Sequence, residues 1–289
     1  MEQSSLLTIV MPIALGIIML GLGLSLTTKD FTRVVKYPKA MLVGLFCQMI
    51  LLPIVCFFVA KSFGLTSALA VGLMLLSASP GGAVANLYSH LSNGDVALNV
   101  SLTAVNSVLS LFTLPLIVNL SLEYFMNDGQ YIPIQFKKVI EVFAIVLVPV
   151  LIGMVINQNF PSVSKKLEKP VKIASALILA LVIIAVVGKE KDNMLTYFQQ
   201  VGLAALAFNV ISMAVGYLLP RLLRVDARQA IAIGMEVGIH NGTLAIYIAM
   251  NVIGNETMAI PPAIYSIIMF FTAAAFGMLI SRLTKPAKA

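Results

Sequence analysis

Glu236 is the strongest candidate for a chemical role in this chain, because it is an acid in the middle of a long apolar segment. A carboxylate at bilayer depth costs a few kcal/mol or more, so such residues usually mark paths of ions or substrates. The surrounding stretch, residues 235–242, also contains Gly238, Asn241 and Gly242, which weaken a helix. We therefore predict a helix that breaks beside Glu236 and frees backbone carbonyls for a cation.

A second apolar segment contains another predicted break, at residues 77–86. Pro80 lacks a backbone donor and clashes with the preceding turn, while Gly81 and Gly82 add flexibility. We predict nine membrane spans, and in that topology the two broken spans enter the membrane from opposite sides. Paired broken helices of this kind are typical of inverted repeats, with a binding site near the membrane midplane.

Asn99, Thr103 and Asn106 are spaced i, i+4 and i+7, so they share one helical face. With groups at the two breaks, they would form a cluster of oxygen ligands with one negative charge. Hard oxygen ligands suit hard cations, and one carboxylate fits a monovalent ion better than calcium. Sodium is the natural candidate, and a proton on Glu236 is the rival. The groups predicted at the breaks are Asn86, Glu236, Asn241 and the carbonyls of Val237 and Ile239.

Several of these residues also have a purely structural interpretation. Asn and Thr in membrane helices often only bind neighbouring helices together. The same interpretation holds for Gln48, which lies in another apolar segment. His240 is either a core histidine or a group that titrates beside the acid.

The composition indicates a membrane protein. Of the 289 residues, 60% are hydrophobic and 11% are charged, whereas soluble domains have about 25% charged residues. A spanning helix needs about 20 apolar residues, and we predict nine spans in an all-α polytopic membrane protein. The spans are Leu6–Leu26, Ala40–Val59, Leu65–Leu91, Val96–Leu122, Val139–Ile156, Val171–Val187, Phe198–Leu219, Ala227–Ile253 and Pro261–Ile280.

Most of the 19 Lys and Arg residues fall on one side of these spans, which the positive-inside rule makes cytoplasmic. They are Lys29, Arg33, Lys36, Lys39, Lys165, Lys166, Lys169, Lys172, Arg221, Arg224, Arg228, Arg282, Lys285 and Lys288. We therefore expect a multi-pass protein of the plasma (inner) membrane, with its N-terminus outside and its C-terminus in the cytoplasm. The net charge of +7 does not indicate nucleic acid, because the basic residues lie at the ends of apolar spans.

At these residues the chain resembles the bile acid:sodium symporter family, as a bacterial-type member, from about Pro12 to Ile280. The specific part of the resemblance is the pair of break motifs in their order and spacing. The residues that carry it are 16–24, Asp30–Phe31, Tyr37–Lys39, Gln48, Pro53, Pro80–Gly82, Asn86, 94–98, Glu236–Asn241 and Pro261.

The resemblance implies a core domain, in which two broken helices cross, and a panel domain. The core would comprise residues 39–127 and 191–289, with broken helices at 77–86 and 235–242. The panel would comprise residues 1–38 and 128–190. Alternating access would then be a movement of the core against the panel.

The resemblance also implies one or two sodium ions. The first site would use Asn86, Thr103 and Glu236, with Asn99 where relatives carry Ser. Ala85 stands where relatives have a Ser ligand, so one hydroxyl is lost.

The second site would use Gln48, Glu236 and the carbonyls of Val237 and Ile239. There His240 replaces a Gln that supplies an oxygen in relatives. Because imidazole nitrogen is a poorer ligand for sodium, coupling to one ion or to two stays open.

These features predict a sodium-coupled symporter that imports an organic anion, such as a bile acid or another carboxylate. The alternative is a proton-coupled carrier or exporter of an organic anion that uses Glu236 and His240. The expected partners are the lipid bilayer and a small organic anion, without nucleic acid, an obligate protein partner or an organic cofactor. We expect no enzymatic activity, because there is no Ser/His/Asp array, metal-spaced His/Cys cluster or phosphate loop.

The predicted substrate contacts lie near the two breaks and in the seventh and ninth spans. Where bacterial-type relatives carry a His-Asn pair in the ninth span, this chain has Met269 and Phe270, so its substrate contacts should differ. The predicted set is Gly82, Ala83, Asn86, Asn106, Asn209, Asn241 and Met269.

Overall fold

The structure is a computed structural model that describes residues 2–126, 136–189 and 193–283. Within these ranges the regular elements are helices, apart from one isolated β-bridge, which confirms the predicted all-α class. The first elements are α1 (Glu2–Ser25), α2 (Thr28–Lys36), α3 (Pro38–Phe46), a π-helical segment (Cys47–Leu51), α4 (Leu52–Ser62), α5 (Ser67–Ala78), α6 (Ala83–Leu91) and α7 (Val96–Phe125). The later ones are α8 (Phe136–Asn159), α9 (Pro161–Lys189), α10 (Met194–Leu222), α11 (Ala227–Gly238), α12 (Gly242–Tyr247), a second π-helical segment (Ile248–Ile253), a 3₁₀ turn (Thr257–Ala259) and α13 (Ile260–Leu283).

Among the residues that the structure describes, six helical stretches are long and apolar enough to cross a membrane. They are Pro38–Ser62, Val96–Phe125, Ile140–Asn159, Pro161–Val186, Leu195–Leu222 and Thr257–Arg282. Three shorter apolar helices, Val10–Ser25, Ser67–Ala78 and Gly242–Ile253, fall within three further predicted spans. The protein is therefore a helical membrane protein, while the count of nine spans stays a prediction.

The sixth predicted span differs most from the observed helix. We predict its start at Val171, whereas α9 begins ten residues earlier in the chain, at Pro161. Proline is favourable at the first position of a helix, because its missing N–H has no partner there in any case. Residues 165–169 include three lysines and a glutamate. A prediction from hydropathy therefore covers the apolar part of α9 and omits its polar first turns.

The first break follows from the backbone around Pro80. Helix α5 ends at Ala78, and Ser79 adopts an extended conformation with φ −74° and ψ 141°. This conformation is the one that a residue before proline prefers. Gly82 is also extended, and α6 starts directly after it.

The second break has a similar local cause. Helix α11 ends at Gly238, and Ile239 is extended, with φ −115° and ψ 105°. The Asn241 side chain then caps α12, because its Oδ1 accepts a hydrogen bond from the Leu244 backbone nitrogen at 3.0 Å. The apolar segment therefore continues as a second short helix on the far side of the break.

The packing separates two groups of helices along the chain. Helix α1 packs along α8 and α9, and a Cβ on Gly153 would collide with the backbone of Gly23. Small residues at such crossings let membrane helices approach closely. Helix α7 packs against α5, α6 and α11, and α10 packs against α11 and α13. Whether these groups move as panel and core domains, with the predicted boundaries, stays a prediction.

Candidate cation site where two broken helices meet

The two breaks lie directly against each other. Gly81 and His240 form an antiparallel β-bridge, and the Asn241 backbone nitrogen donates to the Pro80 oxygen at 2.9 Å. At each break, backbone N–H and C=O groups lack partners within their own helix, and some of them bond to the backbone of the other break. This contact joins residues about 160 positions apart and fixes where the end of α11 lies relative to α5 and α6.

Glu236 lies beside this bridge, in the last turn of α11, with 1% of its surface exposed. Thr103 donates its hydroxyl to Glu236 Oε2 at 2.6 Å, and Asn106 Nδ2 donates to Oε1 at 3.4 Å. Within the described ranges, no Lys or Arg forms an ion pair with this carboxylate. A buried charge needs such compensation, so a bound cation or a proton must supply it.

Besides Asn209, whose Oδ1 is also unpaired, four predicted residues have buried amide oxygens without a hydrogen-bond partner. These oxygens are Gln48 Oε1, Asn86 Oδ1, Asn99 Oδ1 and Asn106 Oδ1. Buried polar atoms are rarely left unpaired, and each exception calls for an explanation such as a bound ion. Amide oxygens are hard ligands, so this set suits a hard cation.

Hydrogen bonds of the amide nitrogens orient three of these side chains. Asn99 Nδ2 donates to the Ala232 oxygen at 2.6 Å, and Gln48 Nε2 donates to the Ser79 oxygen at 3.0 Å. The nitrogen of Asn106 faces Glu236, as described above. In each case the nitrogen has a partner and the oxygen does not, so the oxygens are left for a ligand.

The carbonyl freed at Gly238 is satisfied by two side chains. Asn209 Nδ2 donates to it at 2.8 Å, and the buried Tyr265 hydroxyl donates at 2.9 Å. Tyr265 is absent from the sequence-based set, although a Tyr in the middle of an apolar helix needs a partner for its hydroxyl. Asn209, predicted as a substrate contact, supports the second break in this structure.

The His240 side chain contacts groups of the first break and of the π-helical segment Cys47–Leu51. Its Nδ1 is 3.2 Å from the Ser79 oxygen and 3.4 Å from Gln48 Nε2. Its ring stacks on Phe208, with centroids 5.9 Å apart, and is tilted against Tyr265 at 5.4 Å. His240 is thus held in a tightly packed environment.

The other predicted residues occupy varied positions. Val237 and Ile239 are buried at the end of α11, and Met269 is buried in α13. Gly82 precedes α6, and Ala83 is its first residue. The structure therefore brings Thr103, Asn106 and Glu236 into direct contact, but it gives Met269 no polar role.

The hydroxyl of Thr103 should contribute measurably to sodium affinity. Hydrogen bonds to charged groups are worth about 1.5–3 kcal/mol, and about 1.4 kcal/mol changes an affinity tenfold. We expect Thr103→Val to raise the sodium concentration for half-maximal thermal stabilisation about tenfold, measured in NaCl against choline chloride. Thr113→Val on the same helix is the matched control, since its hydroxyl contacts the Leu109 backbone oxygen. Equal sodium affinities in the two variants would contradict a role for Thr103.

The chain is a helical membrane protein with a buried acid at the point where two broken helices meet, an arrangement typical of secondary transporters. Residues 12–197 match the model of the Sodium Bile acid symporter family, and the chain belongs to that family. The family is one of transporters that use sodium as a co-substrate, and not one of enzymes.

Relatives from plants, bacteria and animals match most of the chain. It is 30% identical to "Probable sodium/metabolite cotransporter BASS1, chloroplastic" of Arabidopsis thaliana over 88% of this chain and 62% of that protein. It is 29% identical to "Uncharacterized sodium-dependent transporter YocS" of Bacillus subtilis, over 88% and 78%. It is 27% identical to the human "Ileal sodium/bile acid cotransporter", over 94% and 79%. The chain thus spans less than two thirds of the Arabidopsis protein.

Proposed function

We propose that this protein is a sodium-coupled secondary active transporter, a symporter that imports an organic anion by alternating access. The observation that carries the proposal is the Glu236 carboxylate, which is buried without a described ion-pair partner beside unpaired amide oxygens. Membership of the sodium bile acid symporter family supports the proposal. So do the names of the three relatives, each of which mentions sodium.

Sodium would bind between Glu236 and the polar face of α7, with Asn86, Asn99 and Thr103 as further ligands. One carboxylate among neutral oxygens favours a monovalent cation over calcium. The ion would offset the charge of Glu236 and link α11 to α7 at the point where the two breaks meet. Cation binding would thereby stabilise the arrangement of backbone groups that faces the substrate.

The organic anion would bind near the beginning of α6, where Gly82 and Ala83 present backbone amides next to Asn86. The N-terminal end of a helix attracts anions through its free N–H groups and its dipole. The substrate class is a carboxylate, either a steroid conjugate such as a bile acid or a smaller acid. Further contacts would come from Asn106, Asn209, Asn241 and Met269.

The transport cycle would move a core against a panel, with nine spans arranged as inverted repeats. The mutual packing of α1, α8 and α9 supports a panel made of the first, fifth and sixth spans. The Lys and Arg distribution supports a plasma-membrane orientation with the N-terminus outside and the C-terminus in the cytoplasm. The boundaries proposed near residues 128 and 190 lie at or beside segments outside the described residues.

A proton-coupled carrier or exporter is the second candidate, because a proton on Glu236 would also remove the uncompensated charge. In that mechanism His240 would share the titration with Glu236. Sodium is favoured over the proton by the unpaired oxygens, since a proton on Glu236 leaves Asn86 Oδ1 and Asn99 Oδ1 without partners.

Uptake into proteoliposomes distinguishes the two candidates. The purified chain is reconstituted and offered labelled taurocholate, as a steroid conjugate, or labelled pyruvate, as a small keto acid. We expect an inward sodium gradient, at equal pH on both sides, to drive accumulation of one of these anion classes. Accumulation driven by a pH gradient and indifferent to sodium would replace the symport proposal with proton coupling.

A further inference from the structure

Two polar groups around the breaks differ in what they offer a cation. The first, on α7 beside Glu236, has the unpaired oxygens of Asn99 and Asn106 and the hydroxyl of Thr103. The second consists of Gln48, in the π-helical segment Cys47–Leu51, the Ser79 carbonyl and His240. The first group offers several oxygens, whereas the second offers one unpaired oxygen, Gln48 Oε1, beside two nitrogens that face the Ser79 carbonyl.

The Ser79 carbonyl is the point on which these two nitrogens converge. A carbonyl oxygen can only accept hydrogen bonds, so the 3.2 Å contact with His240 Nδ1 assigns the hydrogen of the ring to Nδ1. Gln48 Nε2 donates to the same oxygen at 3.0 Å. In that tautomer the longer contact between the two nitrogens, at 3.4 Å, joins two donors. The positive ends of both N–H dipoles lie next to the Ser79 oxygen and would repel a cation that approaches it.

The surroundings of His240 keep its ring in this position. The ring is stacked nearly parallel to Phe208, with an interplanar angle of 7°, and is also packed against Tyr265. Its backbone is joined to Gly81 by the β-bridge. The side chain is 2% exposed, and rotation of the ring would require several buried neighbours to move.

The nitrogen that His240 has left for a ligand is also unsuitable for sodium. With the hydrogen on Nδ1, Nε2 keeps a lone pair and has no partner in the structure. Imidazole nitrogen suits zinc, copper or iron, whereas sodium, a hard cation, prefers oxygen. No group of three or more His, Cys, Asp or Glu side chains that could hold such a metal occurs among the described residues.

We infer that hydrogen bonds close the cluster of Gln48, Ser79 and His240 to sodium, and that the protein binds a single sodium ion, between Glu236 and α7. His240 is then a specificity-determining residue, because its N–H occupies the Ser79 carbonyl and thereby sets the number of ions. This inference rests on the proposed sodium-coupled function and gives it a stoichiometry. With a monovalent anion as substrate, one transport event moves no net charge.

Direct counting of bound sodium tests the inference. The full chain is purified in detergent, and radioactive sodium is titrated in equilibrium dialysis at constant ionic strength with choline chloride. We expect about one sodium ion per chain, and a Hill coefficient of about 1 in the matching thermal-shift titration. Two ions per chain, with cooperative binding, would overturn the inference and leave sodium-coupled function intact. Sodium binding that cannot be detected at all would instead remove the proposed function.

A substitution then tests the assignment to His240. His240→Gln offers an amide oxygen in place of the ring and releases the Ser79 carbonyl, so we expect the bound sodium to rise toward two ions per chain. His90→Gln is the matched control, since His90 is exposed near the end of α6. A folded His240→Gln protein that still binds one ion would overturn the role given to His240. If that variant does not fold, the ion count of the unmodified chain still decides the stoichiometry.

Discussion

Glu236→Gln is expected to eliminate sodium binding while preserving the shape of the side chain. The substitution removes the one negative charge among the proposed ligands. At an effective dielectric constant of 20, an ion pair at 4 Å is worth about 4 kcal/mol. Since about 1.4 kcal/mol corresponds to a tenfold change in affinity, sodium affinity should fall by at least about 100-fold.

The measurement is the sodium-dependent thermal shift together with sodium-driven uptake in proteoliposomes. Glu123→Gln provides the matched control, because Glu123 is an exposed acid near the end of α7. The control should keep the sodium affinity of the unmodified protein. If Glu236→Gln still transports and still requires sodium, Glu236 is not the cation-binding carboxylate.

Gly81→Ala is expected to disrupt the meeting point of the two broken helices. A Cβ at Gly81 would overlap the carbon and both oxygens of the Glu236 carboxyl group. Gly81 does not have a positive φ angle, so the effect arises from the added methyl group and not from backbone strain. Overpacking of this kind costs about 1–3 kcal/mol, and here it also displaces the charge from its partners Thr103 and Asn106.

We therefore expect Gly81→Ala to lose its sodium-dependent stabilisation and to melt at a lower temperature. Gly82→Ala is a matched control, because it adds the same methyl group one residue later, where a Cβ meets nothing within 4 Å. The control should keep its sodium response. Equal sodium responses in the two alanine variants would show that the close approach of Gly81 to Glu236 does not matter for the ion.

Features that depend on neighbouring residues and on the cost of desolvation can be predicted from the amino-acid sequence. Apolar segments of sufficient length indicated a membrane protein, and Pro80 and Gly81 indicated the first break. The i, i+4, i+7 spacing placed Asn99, Thr103 and Asn106 on one face. These are local properties, so no knowledge of the other helices was needed to predict them.

Which of these groups come into contact depends on how the helices pack. The hydrogen bond from Thr103 to Glu236 joins residues 133 positions apart, and the one from Tyr265 to the Gly238 carbonyl joins residues 27 positions apart. Successive residues of a helix are rotated by about 100°, so the depth and rotation of each helix decide which side chains come into contact. For the same reason, the sequence shows that residue 240 is a histidine but does not show that its ring contacts the Ser79 carbonyl. That contact exists because the two breaks lie against each other.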